Sequence, residues 1–105
     1  MKDKLLSMLG LCRRAGSVII GTDLVTKSLP SGKIKLVMYA ADSSQNTEKK
    51  ITDKCSFYGV KCVKIEQDGA ELGHAIGKAA TVCVVGITDS NFSKTLSTLI
   101  SNEAR

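Results

Sequence analysis

The feature that most constrains the fold is an alternation of helix-type and strand-type apolar patterns along the 105 residues of the chain. Segments with apolar residues three or four apart alternate with short runs of consecutive apolar residues. Such alternation predicts an α/β fold: one domain over residues 1–105, built as a three-layer α/β/α sandwich with a central four-stranded mixed sheet. Helices are predicted at 3–15, 22–29, 48–58, 68–76 and 90–100, and strands at 17–20, 34–41, 61–65 and 81–87.

Residues typical of helix ends support these boundaries. Gly16 and Gly59 follow periodic segments, as expected for glycines that end helices in a left-handed conformation. Asp68 precedes Glu71 at the spacing of a capping box, which predicts the start of a short fourth helix. Ser90 is predicted to cap the final helix.

Composition excludes several classes of protein. No apolar run approaches the roughly 20 residues of a membrane helix, and the charged N-terminal segment does not resemble a signal peptide. The four cysteines are far apart and the chain has one histidine, which excludes the usual zinc patterns. We expect no metal, cofactor or membrane partner, and buried free thiols in the reducing cytoplasm. The cysteines are Cys12, Cys55, Cys62 and Cys83.

The net charge of +5 is suggestive of a polyanionic partner such as nucleic acid. Aromatic residues are few, and exposed aromatics on strands, which stack bases in several RNA-binding folds, are not expected. The sequence therefore predicts that any RNA would be held through shape, phosphate contacts and polar groups. Three lysines of the third helix, Lys49, Lys50 and Lys54, are predicted to line a solvated face.

The segment from Gly21 to Lys27 is the main candidate for anion binding. A glycine-led turn after a β-branched run feeds a helix, whose first N–H groups have no partner within the helix. Lys27 lies one helical turn after Asp23, on the same face. This corner is suited to phosphate, and Lys33 and Lys78 are further candidates. We expect the loops around 21–27 and 77–81 to meet at one end of the domain.

An enzyme is a weaker alternative. Residues 16–22 copy part of a phosphate-binding loop but lack its lysine, and the Gly73–Lys78 segment is one residue too short for that motif. His74, the only imidazole, is predicted to lie at the surface of a short helix. No cysteine has a neighbouring histidine in sequence and no carboxylate pair is evident, so no catalytic residue is predicted.

Several motifs, taken together, resemble the kink-turn-binding ribosomal protein family, which includes archaeal and eukaryotic large-subunit proteins and small bacterial members of the YlxQ type. The resemblance covers nearly the whole chain, and its most specific part is a Glu-Leu-Gly-x-Ala-x-Gly segment before an apolar strand. The matching segments are Ala15-Gly16, Gly21-Thr22-x-x-x-x-Lys27, Ser31-Gly32-Lys33, Ala40-Ala41-Asp42, Tyr58-Gly59-Val60 and Glu71-Leu72-Gly73-x-Ala75-x-Gly77.

This resemblance implies an α/β/α sandwich that recognises a kink-turn, a bulge beside tandem sheared G·A pairs that bends an RNA duplex. By the same resemblance, the start of the second helix would contact RNA with backbone groups, and Lys27 would contact guanine or phosphate. The loop 77–80 would close over the flipped-out bulge nucleotide. The expected RNA-binding residues are Gly21, Thr22, Asp23, Leu24, Lys27, Lys33, Ser44, Gly77, Lys78, Ala79 and Ala80, with Glu48 close by.

Strong kink-turn binders of the family carry Asn-Glu where this chain has Asp23-Leu24. Leucine cannot hydrogen-bond a purine edge, and a lost bond of this kind costs about 1.5–3 kcal/mol. The first hypothesis is a non-catalytic, monomeric RNA-binding protein that takes kinked RNA, ribosomal or in an mRNA leader. The alternative is a protein-interaction module of the ribosome or translation machinery with weak RNA affinity. An exposed Leu24 would favour the alternative, or a looser RNA target.

Overall fold

The computed structural model describes residues 2–103, and in this range five helices alternate with four strands. A short 3₁₀ turn at Leu29–Ser31 follows the second helix. The elements are α1 (Lys2–Arg14), β1 (Val18–Ile20), α2 (Thr22–Ser28), β2 (Leu36–Tyr39), α3 (Gln45–Tyr58), β3 (Lys61–Lys64), α4 (Gly69–Ala75), β4 (Val84–Ile87) and α5 (Ser90–Glu103).

The four strands form one sheet in the order β1-β4-β2-β3. β4 pairs antiparallel with β1 on one side and with β2 on the other, and β2 pairs parallel with β3. β2 and β4 are buried at every position because they occupy the centre of the sheet, which explains their uninterrupted apolar sequences. The predicted mixed four-stranded sheet is confirmed.

Two hydrophobic clusters flank the sheet, one on each face. One cluster joins α1, α4 and α5 to the sheet through residues such as Leu9, Leu72 and Leu96. The other joins α2 and α3 through Val25 and Ile51. Alternate residues of each central strand point into opposite clusters, as the pleat requires. The chain is therefore an α/β/α sandwich, as its sequence predicts.

The last strand is shorter than the predicted 81–87. The N–H of Val82 donates to the carbonyl oxygen of Gly69 (3.0 Å), so this part of the chain is attached to α4. Regular pairing with β1 and β2 begins only at Val84. Residues 81–83 are β-branched or apolar, as in a strand. Their backbone groups, however, bond to Gly69 at the start of α4 and to Ala40 in the loop after β2.

The predicted cap of α5 is wrong by one residue. The carboxylate of Asp89 accepts hydrogen bonds from the N–H groups of Asn91 (2.8 Å) and Phe92 (3.0 Å), which makes Asp89 the capping residue. Ser90 is the first residue of the helix and its side chain is exposed.

The prediction that all four thiols are buried is wrong for two of them. Cys12 and Cys55 are buried, whereas Cys62 and Cys83 are only partly covered, and all four are free. Burial, together with the charge of Asp89, raises the pKa of Cys12 to about 11. A hydrogen bond between Cys62 and Cys55 raises the pKa of the first thiol and lowers that of the second.

Because Asp89 supplies the cap, Asp89→Ala should lower the free energy of unfolding by about 1 kcal/mol, within the roughly 0.5–2 kcal/mol typical of lost N-caps. Ser90→Ala should change it by less than about 0.5 kcal/mol, as for other surface substitutions. Urea denaturation of both variants measures the difference. A larger loss from Ser90→Ala would contradict this assignment.

Candidate nucleic-acid interface

Two backbone hydrogen bonds determine which loops meet at one end of the sheet. The N–H of Gly21 donates to the carbonyl oxygen of Val84 (2.9 Å), and the N–H of Ala40 donates to that of Cys83 (2.8 Å). The start of α2, the β2–α3 connection and the loop before β4 therefore lie together at this end of the sheet, which we call the interface edge. This edge carries nine of the residues predicted for RNA binding: Gly21, Thr22, Asp23, Leu24, Ser44, Gly77, Lys78, Ala79 and Ala80.

Gly21 makes the sharp entry into α2. Its φ of 99° lies in the region that side chains rarely adopt, so glycine fits here without strain. Its carbonyl oxygen accepts the first helical bond from Val25 (3.0 Å), and no side chain caps the helix. Because α2 has only seven residues, the helix dipole is small and lysine side chains must supply most of the positive potential.

Asp23 is paired with a lysine of the neighbouring helix. The Nζ of Lys50 lies 3.6 Å from the carboxylate of Asp23, and both side chains are well exposed, at 52% and 86%. Lys27 is exposed one turn further along α2. Two lysines thus accompany the one carboxylate, which offsets its repulsion of phosphate. The sequence placed Lys50 on a solvated face, because nothing in it shows that α3 lies beside the start of α2.

Leu24 is 58% exposed at this edge, on the first turn of α2. Such a position contributes little to the core, since the neighbouring Val25 supplies the buried contact. Ser44 has a structural role of its own: its hydroxyl oxygen accepts a hydrogen bond from the N–H of Thr47 (3.2 Å) and caps α3.

Glu48, on the first turn of α3, interacts with the last residues of β2 and β3. Its carboxylate accepts a hydrogen bond from the hydroxyl of Tyr39 (3.4 Å) and lies 3.8 Å from the Nζ of Lys64. Burial, with a further contribution from the charge of Glu48, raises the pKa of Tyr39. These partners turn the negative charge of Glu48 towards β3.

The loop before β4 is packed against α4 through glycines. A Cβ at Gly73 would clash with the carbonyl oxygen of Ala80, and one at Gly69 would clash with the methyl group of Thr81. The N–H of Lys78 donates to the carbonyl of Gly73 (2.8 Å), and Gly77 has a φ of 77°. The Glu-Leu-Gly-x-Ala-x-Gly segment thus has a physical basis: its glycines allow the loop to fold back over the helix.

A concave surface of about 290 Å³ lies between α4 and this loop. Two of its lining residues, Lys78 and His74, carry polar nitrogens, while the rest are small. His74 is exposed, as the sequence predicts, but it lies beside the candidate loop, a position that the local pattern could not reveal. The lining residues are Ala70, His74, Lys78, Ala79, Ala80 and Thr81.

Lys33 lies apart from the other predicted residues. It precedes β2, whereas Ala40 follows that strand, and the N–H of Lys35 pairs with the last residue of β4, Ile87. Lys33 is therefore at the opposite end of the sheet from Gly21, and we leave it out of the candidate interface.

Over residues 2–103, no helix is long and apolar enough to cross a bilayer. Within the same range, no group of three or more His, Cys, Asp or Glu side chains is placed to hold a metal ion.

Residues 3–97 match the family model described as the ribosomal protein L7Ae/L30e/S12e/Gadd45 family. The chain belongs to this family. It is 46% identical to the RNA-binding protein YlxQ of Bacillus subtilis (strain 168) over 93 residues, which cover 89% of this chain and 91% of that protein. It is also 35% identical to the large ribosomal subunit protein eL30 of Sulfolobus acidocaldarius, covering 79% of this chain and 80% of the relative.

Solved structures of other proteins share the fold. A protein with unknown function from Bacillus halodurans C superposes with a TM-score of 0.86 at 37% identity, covering 93% of this chain and 97% of the other. The Giardia lamblia 15.5kD RNA binding protein superposes with a TM-score of 0.78 at 21% identity, covering 96% and 88%. At 21% identity, the similarity to the Giardia lamblia protein is a similarity of fold.

Gly73→Ala should displace the loop 78–82 and lower the free energy of unfolding by about 1–3 kcal/mol, because the added methyl group meets the backbone of Ala80. His74→Ala, at the exposed neighbouring position, serves as the matched control and should cost less than about 0.5 kcal/mol. Urea denaturation gives the energies, and amide hydrogen exchange at Lys78 and Val82 reports the loop. Full stability and unchanged exchange for Gly73→Ala would contradict the described packing.

Proposed function

We propose that the chain is a non-catalytic, monomeric RNA-binding protein that recognises kink-turn or similarly kinked RNA in connection with the ribosome or translation. Membership of the L7Ae/L30e/S12e/Gadd45 family and its similarity to proteins named RNA-binding protein YlxQ and large ribosomal subunit protein eL30 support the proposal. The observation that carries it is the meeting of the α2 start and the loop 77–83 at one edge of the sheet.

In this proposal the two loops divide the work. Lys27 and Lys50 lie on one side of the candidate interface and Lys78 lies on the other. Both phosphate backbones of a bent RNA duplex would therefore meet a lysine. The small residues Ala79 and Ala80 let RNA approach the loop closely. The concave surface beside His74 would hold the nucleotide extruded from the bulge.

A second candidate function is a protein-interaction module of the translation machinery. The observation that favours it is the 58% exposure of Leu24 at the candidate interface, where an apolar side chain cannot hydrogen-bond a base edge. Buried against a partner protein, this side chain would contribute to a small hydrophobic contact.

The first experiment is a titration of the purified protein against a blunt kink-turn duplex. A control duplex with its G·A pairs replaced by Watson–Crick pairs is titrated beside it, at two salt concentrations. The proposal expects tighter binding to the kink-turn. Equal, salt-sensitive binding to both duplexes would reject kink-turn recognition, and no binding to either would favour the interaction module.

Lys27→Ala should weaken kink-turn binding roughly tenfold and reduce the salt slope by about one, because one phosphate contact is lost. Lys33→Ala removes the same charge at the opposite end of the sheet and should leave both quantities unchanged for the blunt duplex. The titration above measures them. Equal effects of the two substitutions would mean that net charge, and no local site, governs binding.

Leu24→Glu should strengthen kink-turn binding by about one to two orders of magnitude, because a carboxylate can accept hydrogen bonds from the purine edges of the G·A pairs. Leu24→Ala is the control: it removes the apolar side chain without adding an acceptor, and RNA affinity should not change. Weaker binding by Leu24→Glu would refute the assignment of this position to purine contacts.

A further inference from the structure

Two exposed aromatic side chains lie at the C-terminal end of α3, whereas the interface described above lies at the start of this helix. Phe57 is 79% exposed and Tyr58 is 39% exposed, with ring centroids 4.9 Å apart and an interplanar angle of 87°. Ile51, Cys55 and Tyr58 follow one another at helical spacing on α3, but only Ile51 and Cys55 are buried. In this edge-to-face arrangement, most of the Phe57 ring stays accessible to a planar ligand.

Lysines accompany this pair. Lys54 lies one helical turn before Tyr58, and Lys61 begins β3 just after the helix ends. Both are exposed, and within residues 2–103 neither forms an ion pair with a carboxylate. Asp53 is the one acidic residue on the last two turns of the helix. The end of α3 therefore combines two exposed lysines with an open aromatic face.

A continuous stripe connects this surface to the proposed interface. Lys50, Lys54 and Phe57 follow one another at helical spacing on the same side of α3, and Lys50 contacts Asp23 at the start of α2. Seven residues of helix separate Lys50 from Phe57, about 10 Å along the axis. A strand leaving the interface beside Lys50 would meet the aromatic pair within a short distance.

We propose that Phe57, Tyr58 and Lys54 form a second RNA contact, which stacks unpaired nucleotides extending from the structured RNA at the proposed interface. The inference rests on the proposed function for the position of the RNA, and on the aromatic pair for the stacking. Aromatic rings stack bases without regard to sequence, and adjacent lysines contact the phosphates between them. The specificity would be for an unpaired segment of RNA.

The chemistry favours RNA over a protein occupant. Lysines are depleted in protein–protein interfaces, yet Lys54 and Lys61 lie near this pair in the chain. A second copy of the chain, meeting this surface symmetrically, would bring like charges together. An unpaired strand supplies both a planar base for Phe57 and a phosphate for Lys54.

The test compares blunt kink-turn RNA with the same RNA carrying a single-stranded uridine extension of about ten nucleotides, a length within the range single-strand binding sites cover. Each of the strand ends is extended in turn. At one of these ends the wild-type protein should bind the extended RNA roughly five- to hundredfold more tightly than the blunt RNA. Phe57→Ala should bind the two equally, while Phe57→Tyr should keep the gain.

Lys27→Ala separates this contact from the proposed interface, because it should weaken binding to both RNAs and preserve the ratio between them. Phe57→Ala should leave the urea unfolding midpoint unchanged, since the side chain is mostly exposed. The chain contains no tryptophan, so Phe57→Trp provides a direct reporter. Its indole fluorescence should be quenched by the extended RNA and not by the blunt one.

Failure of either proposal is recognisable. If blunt kink-turn RNA does not bind, but an isolated uridine oligonucleotide binds in a Phe57-dependent manner, the stacking contact stands and kink-turn recognition falls. If no extension increases affinity, or if the gain persists in Phe57→Ala, the second contact is refuted. An acidic protein would then be the remaining occupant for this surface.

Discussion

The central position of β4 is the constraint on which the rest of the structure depends. Its backbone pairs with β1 and β2 at once, and all four of its residues are buried. Because β4 runs against both neighbours, the segment that enters it must lie where β1 and β2 end. The bonds from Gly21 to Val84 and from Ala40 to Cys83 continue this pairing beyond the regular strands. The candidate interface is thus a direct consequence of strand order.

The two helical layers differ in what they expose. The layer of α2 and α3 carries Leu24, Phe57 and Tyr58 on its surface, together with Lys27 and Lys50. The layer of α1, α4 and α5 exposes Leu11 and otherwise supplies core contacts, apart from the end of α4 that supports the loop 78–82. Both RNA contacts proposed above extend across the α2–α3 layer, which gives a single bound molecule a continuous path.

The architecture could be predicted from the sequence because helices and strands differ in the spacing of their apolar residues, and because typical capping residues mark the helix ends. Alternating patterns predicted the layers, and the glycines and the Asp68 capping box predicted where helices begin and end. The start of β4 was harder to predict, since residues 81–83 have strand-type side chains while the N–H of Val82 bonds to Gly69 of α4. A local pattern does not show such long-range bonds.

The candidate site was predictable in part for the same reason. Gly21 was singled out by its place before a helix and the loop 77–80 by the family resemblance, whereas the pairing of Lys50 with Asp23 depends on how α2 and α3 lie against each other. Lys33 belongs to the resembling motifs, but strand direction puts it at the other end of the sheet. The exposure of Phe57 agrees with its helical spacing from Lys50 and Lys54, whereas its edge-to-face contact with Tyr58 could not be read from the sequence.

The pairing of β1 with β4 also has a consequence for how the molecule is made. Val18 of β1 pairs with Ile87 of β4, so β1 cannot complete its pairing until β4 has been made. β2 likewise pairs with β4 on one of its two sides. Contacts this distant in sequence close slowly, because a long loop must be ordered before they form. During synthesis, the first four helices emerge before β4 does. Until β4 joins the sheet, the start of α2 and the loop before β4 are not held next to each other. The growing chain therefore assembles the candidate interface only after its first four helices have been made.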